Sequence, residues 1–160
     1  MKAVKRVLFV CTGNTCRSPM AEALFQKAIS ERSDYSVASA GVAAARGAGP
    51  SFETAQICDL LAAPLEGFRS QPVTTELLDE ATHVFTMTAG HRGLLEEHFP
   101  EFADKFYLVC EFADVPGRGI GCDLPDPIGM GREAYEEVAR VLEFAIPTII
   151  AYIDQTTPKG

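Results

Sequence analysis

The eight residues Cys11-Thr12-Gly13-Asn14-Thr15-Cys16-Arg17-Ser18 constrain this chain more than any other stretch. They follow the apolar run Val7-Leu8-Phe9-Val10 directly and lead into Pro19-Met20-Ala21-Glu22-Ala23-Leu24-Phe25. The pattern predicts a strand that ends at a cysteine, a short loop, and a helix entered at an arginine and a serine. Such a connection gathers backbone N–H groups around one point and aims a helix N-terminus at it. That makes an anion site, and phosphate is its usual occupant. Gly13 and Asn14 suit the tight or left-handed backbone that converging amides need. The predicted phosphate-binding residues are therefore Thr12, Gly13, Asn14, Thr15, Cys16, Arg17 and Ser18.

Two residues make the loop a candidate active site. Cys11 is expected at the bottom of the ring of donors, where the amides and the helix terminus stabilise negative charge on sulfur. A thiolate under a bound phosphoryl group is placed for in-line attack on phosphorus. Arg17 carries a planar fork that grips two phosphoryl oxygens at once and follows the charge that spreads over them in the transition state. Ser18 is read either as a hydroxyl donor to the thiolate or as a helix cap. Cys16 has two open readings: a small side chain packed under the loop, or a partner for Cys11 in a reversible disulfide that shields the nucleophile.

A departing leaving group needs a proton, which a positioned acid supplies. Asp123-Leu124-Pro125-Asp126-Pro127-Ile128-Gly129 offers one. Asp126 stands between two prolines, in a segment that excludes regular helix and central strand. Rigid scaffolds place catalytic groups on such loops. Asp126 is the predicted general acid, with Asp123 as the fallback.

These residues resemble the low-molecular-weight protein tyrosine phosphatase family. The family opens on a strand followed by C-x-G-N-x-C-R-S-P, here Cys11 to Pro19, and ends with an Asp-Pro loop, here Asp126-Pro127. Ser39-Ala40-Gly41 and the Met87-Thr88 region are also similar. The resemblance covers nearly the whole chain. It implies Cys11 as nucleophile, Arg17 as clamp, Ser18 and Asn14 as loop stabilisers, and Asp126 as the acid that later activates water. It implies no metal or other cofactor. Two features set the chain apart from tyrosine-specific members. Thr15 stands where those usually carry a bulky aliphatic residue, and Ile128-Gly129-Met130 follows the Asp-Pro pair where they often carry aromatics. The form C-T-G-N-T-C-R-S-P-M-A-E is similar to the bacterial protein arginine phosphatases of the same family, which hydrolyse the P–N bond of phosphoarginine. A threonine hydroxyl suits a polar guanidinium, whereas an aliphatic wall suits a phenyl ring, and losing the aromatics removes a stacking surface. Phosphoarginine is thus favoured, with phosphotyrosine as the alternative.

A length of 160 residues suits one domain, 1–160, and 47% apolar residues supply its core. No apolar run reaches the ~20 residues of a membrane span, and Met1-Lys2-Ala3-Val4-Lys5-Arg6 lacks the apolar stretch of a signal peptide. Five cysteines without a paired framework fit a reducing compartment, so a cytoplasmic location is expected. A net charge of −8 disfavours nucleic acid and anionic membranes as partners, and phosphorylated proteins are the partners that the resemblance implies. It also means that phosphate capture depends on a local positive focus.

Strand and helix patterns alternate. Ala21, Leu24, Phe25, Ala28 and Ile29 form a helical stripe. Ser36 to Ala40 reads as a second strand. Ser51 caps a helix that runs toward Leu61, with Cys58 inward. Thr74 or Thr75 caps a short helix, and Thr82 to Met87 is a third strand. His83 is expected to be packed or at an edge, and His91 and His98 to lie on the surface of the following helix. Phe106 to Val109 is a fourth strand, flanked by Cys110 as a core thiol. From Glu133 a last helix buries Val138, Val141, Leu142, Ala145, Ile146 and Ile149, with a kink or break predicted at Pro147. Gln155 to Gly160 is expected to fray. The alternation predicts a three-layer α/β/α fold around a four-stranded parallel sheet, with the functional loop at the carboxyl end of the first strand.

Rival functions fit the loop less well. A thiol-coupled arsenate reductase needs relay cysteines, and Cys58, Cys110 and Cys122 are far apart in sequence. A phosphocarrier or a non-catalytic phosphate-binding module has no use for a clamp and an acid together.

Overall fold

The computed structural model describes residues 4–157. Four parallel strands form its sheet in the order β2-β1-β3-β4. They are β1 Lys5–Cys11, β2 Tyr35–Gly41, β3 His83–Thr86 and β4 Phe106–Leu108. The helices are α1 Arg17–Ala28, α2 Phe52–Leu60, α3 Thr75–Glu80, α4 Ala89–His98 and α5 Arg132–Thr156, with a 3-10 segment at Pro100–Lys105.

Strand β1 shows why there are three layers. Side chains alternate across a strand, so both faces must be covered when both are apolar. Val7, Phe9 and Cys11 pack with Met20 and Phe25 of α1 and with Leu142 and Ile149 of α5. Leu8 and Val10 pack on the other face with Leu78 of α3 and Leu95 of α4. Phe9 meets Phe25 edge-on, with ring centroids 5.6 Å apart, and lies 6.0 Å from Phe85. Because β2 and β3 flank β1 on opposite sides, the chain reverses direction across the sheet at the end of β1. A crevice opens at such a point, and the Cys11 loop stands there.

At the opposite end of the strands, Asp34 and Asp154 share Arg32 and Lys5, with contacts of 2.8 to 3.2 Å. Tyr35 donates its hydroxyl to Asp154 at 2.8 Å. Arg32 holds both carboxyls well below the usual carboxylate range. The cluster fastens the end of α5 to the β1–β2 edge, away from the phosphate loop.

Several expectations need correction. Ala28 is exposed, while Met20 and Ala23 join the buried face of α1. Of the two outcomes expected at Pro147, a kink or a break, the break does not occur. The missing N–H orphans the carbonyl of Glu143, which lies on the exposed side of the helix, open to solvent. Of the tail expected to fray, the part to Thr156 is helical, and residues 158–160 lie outside the described residues, as do Met1 to Ala3. A small antiparallel hairpin, β5 Asp114–Val115 with β6 Gly119–Ile120, had no counterpart in the sequence reading. No helix of the described residues is long and apolar enough to cross a membrane.

Candidate active site

The Cys11 loop closes on itself. Cys11 Sγ lies 2.8 Å from Ser18 Oγ, which brings the two ends of the motif together. Asn14 turns the chain with φ of 56°, and its Nδ2 donates to Ser18 Oγ at 2.8 Å and to Ser39 Oγ at 2.9 Å. Gly13 is not in the left-handed region, so Asn14 alone makes that turn. Ser18 does not cap α1. It is the second helical residue, and Cys16 at the cap position makes no side-chain capping bond. Pro19 fits because a helix's first turn has no use for its N–H.

The carbonyls of the loop are tied outward. Val42 N–H donates to Cys11 O and Ala43 N–H to Thr12 O, both at 2.9 Å. Ser51 N–H donates to Thr15 O at 2.8 Å, and Thr54 Oγ1 to Cys16 O at 3.3 Å. Among the described residues, no N–H from Thr12 to Ser18 donates to the loop or its neighbours. A loop with its carbonyls pulled out and its amides free is an anion cradle.

The chain of hydrogen bonds behind the nucleophile continues. Ser39 Oγ donates to Glu22 Oε1 at 2.6 Å, and Gln71 N–H donates to Asn14 Oδ1 at 2.9 Å. Burial holds the Glu22 carboxyl above its ordinary value, against the pull of the Ser39 hydroxyl. Gly41, at the end of β2, lets the loop sit this close. A Cβ there would strike the Thr12 carbonyl oxygen, and would come within 2.8 Å of Ala44 Cβ and 3.0 Å of Asn14 N. Two of these contacts are backbone and cannot step aside. Gly41→Ala is expected to cost about 1–3 kcal/mol of stability and at least ~100-fold in kcat/KM on an aryl phosphate. Thermal unfolding and steady-state kinetics check it; an unchanged kcat/KM would mean that the Gly41 contact does not shape the cradle.

Arg17 is only 6% exposed. It donates from Nη1 to Leu124 O at 2.9 Å, and its Nη2 lies 3.8 Å from Asp126 Oδ2. Of its five donors, the rest of the fork is unengaged among the described residues. Asp126 is half-exposed, and its Oδ1 accepts from Ile128 N–H at 3.1 Å. Asp123 is used differently: its Oδ1 accepts the Ala89 N–H of α4 at 2.8 Å. With Leu124 N–H donating to Met87 O at 2.9 Å, that bond fixes the Asp-Pro loop against the β3–α4 junction. The structure therefore sets Cys11 beside Ser18 and Arg17 beside Asp126, and gives Asp123 an anchoring place.

Cys16 and Cys11 are both free, buried thiols. Cys16 Sγ lies 3.7 Å from Tyr135 Oη. Cys58 and Cys110 are core thiols pushed up to about 12 by burial. Cys110 and Cys122 are distant only in sequence: the Gly121 N–H bond to Cys110 O, 2.9 Å long, sets them side by side. A thiol so strongly protonated at neutral pH is a slow partner in thiol exchange, which argues against a relay.

His83 packs against Phe85 and Tyr107, the packed one of its two expected places, since β3 is an inner strand. His98 is exposed, as expected, but His91 is not on the surface. It is 7% exposed, and its Nε2 lies 2.8 Å from Thr12 Oγ1. The only sequence signal for it was its place three residues after the helix cap Thr88.

Comparison with known proteins follows the same lines. The family model described as low molecular weight phosphotyrosine protein phosphatase matches residues 6–159. A protein-arginine-phosphatase of Geobacillus stearothermophilus is 40% identical over 142 residues, covering 88% of this chain and 90% of that protein. The solved low molecular weight protein tyrosine phosphatase of T. tengcongensis superposes with a TM-score of 0.84 at 36% identity, covering 92% of this chain and 99% of that one. A mutant of the arginine phosphatase YwlE, solved with a phosphorylated active-site serine, gives a TM-score of 0.82 at 32% identity over 94% and 97% of the two chains. The match extends over nearly the full length in both sequence and superposed structure, and the chain belongs to the low molecular weight phosphotyrosine protein phosphatase family.

Proposed function

We propose that this chain is a cysteine-dependent protein phosphatase whose favoured substrate is phosphoarginine, and that Cys11, Arg17 and Asp126 carry the reaction. The observation behind the mechanism is the meeting of Cys11 Sγ, the Ser18 hydroxyl and the largely unengaged Arg17 fork at one cradle of free amides. The phosphoryl group sits on those amides with Arg17 bracketing two of its oxygens. Cys11 sulfur attacks phosphorus; the S–P bond forms as the P–N bond breaks, and Asp126 gives its proton to the leaving guanidine nitrogen. Asp126, now a carboxylate, takes a proton from water. The resulting hydroxide attacks phosphorus, the S–P bond breaks, and inorganic phosphate leaves with the thiolate restored. Ser18 donates to the sulfur whenever it carries charge.

Thr15 supports the choice of phosphoarginine. Its side chain is part-exposed on the loop, and its only side-chain hydrogen bond among the described residues is to Cys16 Sγ, at 3.8 Å. The hydroxyl is therefore available to a polar substrate. Ile128 and Met130 are exposed where an aromatic would stack on a phenyl ring. The name of the 40% identical relative points the same way. Thr15→Ile is expected to shift the ratio of kcat/KM on matched phosphoarginine and phosphotyrosine peptides about 10- to 100-fold toward phosphotyrosine. An unchanged ratio would remove Thr15 as the selector.

A further inference from the structure

A buried titratable ring lies one hydrogen bond from the residue that follows the nucleophile. His91 sits in the first turn of α4, with both ring nitrogens engaged by hydroxyls. Nδ1 is 3.1 Å from Thr88 Oγ1, and Nε2 is 2.8 Å from Thr12 Oγ1. Burial, and after it the charge of Arg17, push the imidazole down to about 4, against the opposing pull of Asp123 and Asp126. The ring is neutral at working pH, so one nitrogen donates and the other accepts.

Of the two tautomers the hydrogen-bond count allows, the one protonated at Nε2 leaves the Thr12 proton free. Thr88 Oγ1 already accepts the His91 backbone N–H at 3.1 Å. Its own proton has Nδ1 as the adjacent acceptor. In that tautomer Nε2 carries the ring proton and donates to Thr12 Oγ1 across the 2.8 Å contact. Thr12 Oγ1 is filled as an acceptor on that side, and its own proton points elsewhere. Thr12 is exposed at the loop, next to Cys11. The capping of α4 does not account for His91, because Ser51 caps α2 and Thr74 caps α3 in the same way with no ring behind them.

We propose that His91, protonated on Nε2, is a positioning residue: it orients Thr12 so that the Thr12 hydroxyl presents a proton to the incoming phosphorylated side chain at the pocket rim. This rests on the phosphatase reading above. Thr12 is the group that touches substrate, and His91 acts only through it.

The test is a double-mutant cycle with a spectroscopic arm. kcat and KM are measured for the wild type, Thr12→Val, His91→Leu and the double variant, on a phosphoarginine peptide and on para-nitrophenyl phosphate. The expected result is a roughly tenfold rise in KM on the peptide for each single variant, with the double no worse than either. His91→Gln, whose amide still offers a donor and an acceptor, should recover most of the loss. In the 15N spectrum the wild-type ring should show one protonated nitrogen, Nε2, and Thr12→Val should shift it. Effects that multiply in the double variant would overturn the proposal, as would a fall in kcat on both substrates with KM intact. If His91→Leu fails to fold, an imidazole spectrum indifferent to Thr12→Val overturns it equally. Wild-type protein that hydrolyses neither substrate would sink the phosphatase reading instead, and the spectrum would still report on Thr12 and His91.

Discussion

Replacing Cys11 with serine is expected to lower kcat on para-nitrophenyl phosphate by at least ~10,000-fold while inorganic phosphate still binds within about tenfold of the wild-type affinity. The reasoning separates the cradle from the nucleophile. The cradle consists of backbone amides whose carbonyl partners are held by Val42, Ala43, Ser51 and Thr54, and none of those bonds involves the sulfur. A serine hydroxyl fits the same space beside Ser18 but is not ionised at neutral pH, so its attack on phosphorus is slow. Once made, a serine phosphate is also a much poorer substrate for the water step, because an alkoxide leaves less readily than a thiolate. The related YwlE mutant with a phosphorylated serine has the form such a trapped species would take. Steady-state rates and phosphate titration by calorimetry provide the check. Residual activity above about 1%, or phosphorus trapped on any wild-type atom other than Cys11 sulfur, would remove Cys11 as the nucleophile.

The second large effect belongs to Asp126→Ala. Loss of a general acid costs about 100- to 10,000-fold, and the cost depends on how much help the leaving group needs. An activated aryl phosphate departs nearly unaided, so its first step should suffer little. An unactivated substrate should approach the full loss. Asp126 suits this asymmetry because its carboxylate is half-exposed and faces Arg17 at 3.8 Å, at the mouth of the cradle and not within it. Pre-steady-state rates on a series of aryl phosphates give the slope directly. A steeper dependence on leaving-group acidity in the variant is expected; equal losses along the series would strip Asp126 of its role. Asp123→Ala provides the contrast. Its carboxylate holds Ala89 N–H, so its removal should loosen the loop and lower both rates together.

How much of this was legible in the sequence depended on distance along the chain. The phosphate loop was legible because its parts are consecutive: an apolar strand, Asn14 for the left-handed turn, and a helix start follow one another. The alternation of apolar faces on β1 likewise announced both outer layers. The Asp-Pro loop could be proposed only through the chemistry it would complete. His91 was misplaced on the surface because Thr12, its partner, lies 79 residues away. Nothing local distinguishes a histidine that faces a loop from one that faces water. Cys110 and Cys122 were separated for the same reason, since the turn that joins them is tertiary. At Pro147 the helix does not break, and the carbonyl that the missing N–H leaves unpaired belongs to the exposed Glu143. The β5–β6 hairpin left a trace that was overlooked: Pro116-Gly117 is a turn signal, and Gly117 and Gly119 both take positive φ.

The Asp-Pro loop is stitched down at three places, to Met87, to Ala89 and to Arg17. All three ties fall on Asp123 and Leu124, immediately before the Pro125-Asp126 pair, so the loop is already anchored without a ligand. On the proposed function, turnover is then expected to follow bond making and breaking at phosphorus and to respond little to solvent viscosity.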